Sequence, residues 1–99
     1  MIRHIVLFQF RSELSATVKE EARERFKKKI LALPEKLSLI RGIEVGFNCN
    51  LGEKWDICLN GLFENMDDVK TYATFPEHVA AATELKQFLS GRSCVDYEC

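Results

Sequence analysis

The opening segment of the chain constrains the fold most, because it predicts a strand that is apolar on both faces. Residues 2–10, IRHIVLFQF, are rich in β-branched and aromatic side chains, as strands are. Alternation puts Ile5 and Leu7 on one face and a longer apolar set on the other: Ile2, His4, Val6, Phe8 and Phe10. Helices in a two-layer fold cover only one face of a sheet. We therefore expect a second copy of the chain to cover the other face.

The first helix and a hairpin follow from apolar spacing and turn residues. Ser15 suits the N-cap of a helix whose apolar stripe recurs at steps of three or four residues: Val18, Ala22, Phe26, Ile30, Leu33 and Leu37. Pro34 predicts the end of this helix. Segments 40–49 and 55–64 alternate and flank a short loop, so they predict an antiparallel hairpin. Trp55 is expected on the apolar face of the second of these strands.

The second half of the chain predicts a broken helix and a final strand. Asn65 suits an N-cap, and Pro76 interrupts the helix that follows it. A third helical stretch is predicted from about residue 78 to residue 89, with Gly91 as its C-terminal cap. Residues 93–99, SCVDYEC, predict the last strand.

This order of elements predicts an α+β fold, the ferredoxin-like split βαβ arrangement. A four-stranded antiparallel sheet would carry its helices on one face. With 99 residues, no linker and no repeat, residues 1–99 are predicted to form a single domain. A chain this short buries about 60–65% of its unfolded surface, so a homodimer would add to a modest core.

Charge and cysteine usage narrow the classes of partner. The chain has 14 basic and 15 acidic residues, so it lacks the basic excess of a nucleic-acid-binding protein. No apolar run reaches the about 20 residues of a membrane span, and the first residues are too short and too alternating for a signal peptide. The four cysteines form no C-x-x-C motif. We predict a cytoplasmic protein with reduced thiols, no metal and no cofactor.

Two histidines and a tyrosine are the candidate catalytic residues. His4 shares the helix-facing side of the first strand, Tyr72 lies on the apolar side of the second helix, and His78 begins the third. We expect all three to converge between the sheet and the helices. Histidine can exchange a proton near neutral pH, and a tyrosine hydroxyl can stabilise an enolate. The predicted substrate contacts are apolar: Phe8, Phe26 and Leu85.

The same residues also fit two other functions. Buried histidine and tyrosine side chains often only satisfy neighbouring polar groups, so a non-catalytic, structural dimer is the main alternative. A cofactor-free monooxygenase is a third hypothesis, because monooxygenases of antibiotic biosynthesis have a fold similar to the predicted one. It ranks last, because Trp55 is the one indole in the chain and nothing in the sequence ties it to the two histidines. A catalytic role would make His78→Ala abolish turnover, whereas a structural role would make it lower stability by about 1–3 kcal/mol.

Four segments together resemble the stress-responsive dimeric α/β-barrel (Dabb) family: MIRHIVLFQF at the start, IRGIEVGFN after the first helix, YATFPEHV at residues 72–79 and VDYE at residues 95–98. The resemblance covers essentially the whole chain. It implies a ferredoxin-like protomer whose sheet packs against the sheet of a partner to form a barrel. It also implies kinship with a plant polyketide cyclase that performs an aldol condensation without metal or cofactor.

The resemblance carries functional residues over position by position. The functional histidine of the plant cyclase on the first strand matches His4, and its tyrosine and histidine around the proline turn match Tyr72 and His78. Two positions depart from the pattern: Phe26 replaces a pocket tyrosine, and Phe75 stands where the family often has a histidine before the proline. Both changes make the pocket more apolar. They favour an apolar, carbonyl-bearing small molecule over the particular substrate of the plant enzyme.

Overall fold

A computed structural model describes residues 1–99 and contains four strands and three α-helices. Their bounds are β1 (Ile2–Phe10), α1 (Ala16–Leu31), β2 (Gly42–Phe47), β3 (Ile57–Phe63), α2 (Met66–Thr74), α3 (Pro76–Lys86) and β4 (Leu89–Glu98). A short 3-10 helix at Leu33–Glu35 follows α1 and contains Pro34. No helix combines the length and the apolar character that crossing a membrane requires.

The strands form one antiparallel sheet in the order β2-β3-β1-β4. This order, with two helical crossovers, is the ferredoxin-like arrangement predicted from the sequence. Strand β1 is a central strand, paired with β3 on one side and with β4 on the other. His4, near the start of β1, is opposite Gly61 of β3 and Asp96 of β4.

The core lies between the helices and one face of the sheet. Alternate residues of β1 are buried on this face, and α1 covers them with Ala22, Phe26 and Ile30. Both predicted helix starts are confirmed, because the Ser15 Oγ accepts from the Val18 N–H at 3.2 Å and the Asn65 Oδ1 accepts from the Asp68 N–H at 2.9 Å. These side chains satisfy backbone donors that would otherwise lack partners, which fixes where α1 and α2 begin.

The opposite face of the sheet, called the open face below, has no helix against it. Ile5 and Leu7 of β1 are half-buried there. Their cross-strand neighbourhood on β4 contributes Val95 and Tyr97, whose surfaces are 53% and 48% exposed. The apolar character predicted for both faces of β1 is therefore real, and the protomer alone leaves the open face uncovered.

Two predictions, one for Gly91 and one for Trp55, were wrong. Gly91 does not cap a helix: α3 ends at Lys86, and β4 begins at Leu89 because it pairs with the whole length of β1 as far as Phe10. Trp55 does not share the buried face of β3, since regular pairing begins only at Ile57. Its ring lies instead on the open face, where the Cζ3 atom is 3.8 Å from the position of a Cβ at Gly91.

Candidate functional site

The fold brings together the three residues predicted to be catalytic. The ring centroids of His4 and Tyr72 are 5.9 Å apart, and those of Tyr72 and His78 are 4.3 Å apart. Tyr72 lies in the last turns of α2, and Phe75 then adopts an extended conformation that starts α3 in a new direction. Pro76 cannot continue α2 but suits the first position of a helix, so α3 begins there. This change of direction brings the ring of His78 into contact with the ring of Tyr72.

These three side chains line an internal cavity of about 160 Å³. Phe8 of β1 and Phe26 of α1 form an apolar part of the wall, with ring centroids 5.3 Å apart in an edge-to-face arrangement. Two of the three predicted substrate contacts therefore lie at the cavity. The third, Leu85, is buried in the core but does not line the cavity.

A larger groove of about 500 Å³ lies outside this cavity, between α3 and the first half of β4. The groove and the cavity share Phe8, Ala82 and Arg92, so they are adjacent. Lys86 and Arg92 are the charged residues that line the groove, and neither has a carboxylate beside it in the lining. The groove beside the cavity is therefore lined by positive charge.

Tyr72 carries the least satisfied polar group at the site. Its side chain is only 1% exposed, and its hydroxyl has no hydrogen-bond partner in the protein. Burial raises the pKa of Tyr72 well above its ordinary value of 10. The hydroxyl therefore stays protonated at neutral pH and can donate a hydrogen bond.

His78 offers the complementary group, an acceptor. Its Nδ1 lies 3.0 Å from the carbonyl oxygen of Ala73, and since a carbonyl can only accept, Nδ1 carries the proton. Burial lowers the pKa of His78 below its ordinary value of 6.5, and the charges of His4 and Arg92 lower it further, while the hydrogen bond to Ala73 opposes them. The imidazole is therefore neutral at pH 7, and Nε2 keeps a free lone pair.

His4 is held by a residue that the sequence analysis missed. The Nδ1 of His4 donates to the carboxylate of Asp96 on β4, at 2.6 Å from Oδ1. His4 is 8% exposed, and it also packs against the ring of Phe63 with centroids 6.1 Å apart. Asp96 could have been found from its place in the strand 93–99, where alternation puts it on the helix-facing side. The missing information was the register that sets it opposite His4.

The arrangement combines one donor and one acceptor whose environments push their pKa values apart. Such a pair suits general acid–base chemistry, because each group is already in the protonation state that its role requires. Nε2 of His78 can take a proton, and the Tyr72 hydroxyl can donate to a developing oxyanion. His4, fixed by Asp96, provides a third polar group at the cavity wall.

Comparison with known proteins gives the family. The sequence profile of the Stress responsive A/B Barrel Domain, abbreviated Dabb, matches residues 2–99. The chain belongs to the Dabb family. A search of curated proteins found no match.

Solved structures agree with this membership of the Dabb family. A dimeric protein of unknown function with a ferredoxin-like fold from Bacteroides fragilis is 51% identical and has a TM-score of 0.96, covering 99% of this chain and 95% of that one. A Dabb protein from Mesorhizobium loti is 22% identical with a TM-score of 0.66, covering 99% and 95%. A hydroxynitrile lyase from Passiflora edulis is 15% identical with a TM-score of 0.77, covering 97% and 90%. The last two similarities show the fold alone.

Proposed function

We propose that this Dabb protein is a homodimeric, cofactor-independent enzyme of the lyase or cyclase type, acting on an apolar compound that carries a carbonyl group. The observation that carries the proposal is Tyr72, which has a buried hydroxyl without a partner and lines the same cavity as the neutral imidazole of His78. A buried donor without a partner costs about 1–3 kcal/mol. A ligand oxygen at the cavity would satisfy it.

The proposed reaction begins with proton abstraction next to the carbonyl. The C–H bond at the α-carbon breaks, its proton moves to Nε2 of His78, and its electron pair forms an enolate. The Tyr72 hydroxyl donates to the enolate oxygen as negative charge develops there. The enolate carbon can then attack a second carbonyl of the same molecule, and His78 returns the proton to the alkoxide that forms. His4, oriented by Asp96, positions the substrate.

The size of the cavity sets how a substrate would lie. Drug-sized ligands occupy pockets of about 300–1,000 Å³, and the inner cavity of about 160 Å³ is smaller than that range. Only the reacting end of a substrate would enter it, and the remainder would lie in the outer groove. Apolar walls at Phe8 and Phe26 favour a hydrocarbon or aromatic body close to the reacting end.

Dimerisation through the open face completes the proposal. Val95 and Tyr97 are about half exposed and Ile5 and Leu7 are half-buried, so the face presents contiguous apolar surface that suits a second sheet. The relative from Bacteroides fragilis, which is 51% identical, is itself dimeric. A second copy of this chain is therefore the proposed occupant of the open face.

Exchange of an α-proton for deuterium tests the reaction without knowledge of the natural substrate. Acetylacetone or another small diketone would be incubated with the protein in deuterated buffer, and the loss of its α-proton signal would be followed by NMR. We expect catalysed exchange that is lost in His78→Ala and reduced at least about tenfold in Tyr72→Phe, because each removes one hydrogen-bonding or proton-transfer group. Tyr97→Phe, on the open face, is the matched control and should exchange at the wild-type rate.

The main alternative, a non-catalytic structural dimer, predicts another outcome. Exchange would then equal the buffer rate in every variant, and His78→Ala would only lower stability. The monooxygenase hypothesis gains no support from the geometry, because Trp55 lies on the open face and does not line the cavity. Catalysed exchange that survives both His78→Ala and Tyr72→Phe would reject the proposed roles of these residues.

A further inference from the structure

We propose that His4, Cys94 and Asp96 form a binding site for a divalent transition metal of the zinc class. The Cys94 Sγ lies 3.8 Å from Nδ1 of His4 and 3.7 Å from Oδ2 of Asp96. Nδ1 of His4 lies 2.6 Å from Oδ1 of Asp96. One ligand atom from each residue thus falls within 4.8 Å of the other two.

The sheet places these three residues together. His4 of β1 is directly opposite Asp96 of β4. Cys94 is two residues before Asp96, so its side chain lies on the same face of β4. The cluster therefore depends on the backbone register of two paired strands and not on a flexible loop, which preorganises the ligands.

The spacing is close to what a tetrahedral metal ion needs. Zinc binds sulfur at about 2.3 Å and nitrogen or oxygen at about 2.0–2.2 Å, which separates its ligand atoms by about 3.3–3.6 Å. The two distances to the Cys94 Sγ exceed this range only slightly. The hydrogen bond between His4 and Asp96 would open by about 0.7 Å as the metal takes the place of the shared proton.

The ligand types select the class of metal. One thiol, one imidazole and one carboxylate suit zinc and cobalt, which accept sulfur, nitrogen and oxygen together. Magnesium and calcium require several oxygen ligands, and this cluster has a single carboxylate. Three protein ligands leave the fourth position of a tetrahedral ion open to water.

The cluster is open to an ion. A divalent cation between Cys94 and Asp96 would bind the thiolate and offset the carboxylate charge, in competition with the neighbouring guanidinium of Arg92. Cys94 is exposed and the Asp96 side chain is 24% exposed, so an ion can reach the cluster from solvent.

This site goes beyond the proposed enzymatic function, and it adjoins the cavity only through His4. Neither Cys94 nor Asp96 lines the cavity with Tyr72 and His78. A metal bound at Nδ1 of His4 would tie β4 to β1 and hold the imidazole in place while leaving Nε2 unbound.

Cobalt and zinc test the site directly. The dimer would be stripped with a chelator, reduced with a phosphine and titrated with Co²⁺ in a spectrophotometer and with Zn²⁺ in a calorimeter. We expect one ion per chain, a sulfur-to-cobalt charge-transfer band and no calorimetric binding of Mg²⁺. Cys94→Ser should remove the charge-transfer band and weaken Zn²⁺ at least about tenfold, and Asp96→Asn should weaken it as well.

Cys49→Ser is the matched control, because Cys49 is an exposed thiol outside the cluster. It should bind both ions like the wild type. A wild-type protein that gives no charge-transfer band, or a band that survives Cys94→Ser and disappears in Cys49→Ser, would overturn the proposal. The result is independent of the α-proton exchange assay, which depends on Tyr72 and His78, so either proposal can fail alone.

Discussion

Replacing Tyr72 with phenylalanine should make the protein more stable while it impairs the proposed chemistry. The ring is 1% exposed and packs between Phe63 and His78, with centroids 5.0 Å and 4.3 Å away. Phenylalanine preserves these contacts and removes only the hydroxyl, which has no partner in the protein. Polar groups kept at an active site despite their cost to stability are a common form of the trade-off between stability and activity.

The size of the effect follows from the burial of that hydroxyl. Leaving a buried polar group unpaired costs about 1–3 kcal/mol. The cavity of about 160 Å³ has room for water, which would recover part of this cost, so we expect a gain at the lower end, about 1 kcal/mol. For a domain of this size, 1 kcal/mol corresponds to a rise in Tm of about 4–8 °C.

Thermal and urea denaturation of Tyr72→Phe, Tyr97→Phe and the wild type would measure the change in stability. All three must be compared at the same protomer concentration, because the Tm of a dimer depends on concentration. The hydroxyl of Tyr97 is on the open face, outside the cavity, so Tyr97→Phe controls for the loss of a tyrosine hydroxyl as such and should not show the gain expected of Tyr72→Phe. A loss of about 1 kcal/mol or more in Tyr72→Phe would refute the reasoning, since it would show that the hydroxyl is well paired in solution.

Three further outcomes are expected. Val95→Asp should convert the dimer to monomer in light scattering, whereas Val79→Asp, equally exposed on α3, should remain dimeric; two dimers would exclude the open face as the interface. Gly61→Ala should cost about 1–3 kcal/mol in urea denaturation, because its Cβ would lie 2.7 Å from the fully buried ring of Phe63; an unchanged midpoint would contradict this packing. Catalysed α-proton exchange should persist as the pH falls through 6.5, because the lowered pKa of His78 keeps its base form populated there; a decline centred at 6.5 or above would argue against His78 as the base.

Much of the fold could be predicted because local and long-range signals agree in this chain. The alternation of residues 2–10 gave both the length of β1 and its buried face, and Ser15 and Asn65 marked two helix starts through bonds that the structure contains. The last strand was harder to predict. Residues 89–92 include Gly91 and carry no strand alternation, and only pairing with β1 makes them extended.

The candidate site also contains residues that the sequence could place and residues that it could not. Helix and strand periodicity was enough to place His4, Tyr72 and His78 toward one layer, where the structure brings their rings together. Asp96 and Cys94 could not be linked to His4 from the sequence, because about ninety residues separate them and cross-strand register is not encoded in local spacing. The proposed metal site differs for this reason from the prediction of no metal, which rested on linear motifs alone.

The protonation state of His78 tests the central claim most directly. Long-range ¹H–¹⁵N correlation spectra of the imidazole, recorded from acidic to alkaline pH, report both its pKa and its tautomer. The account predicts a pKa below 6.5 and a neutral ring protonated at Nδ1, with the lone pair of Nε2 free. A pKa of 6.5 or higher would contradict the lowered pKa of His78, and a neutral ring protonated at Nε2 would mean that the nitrogen proposed to accept the proton is not free.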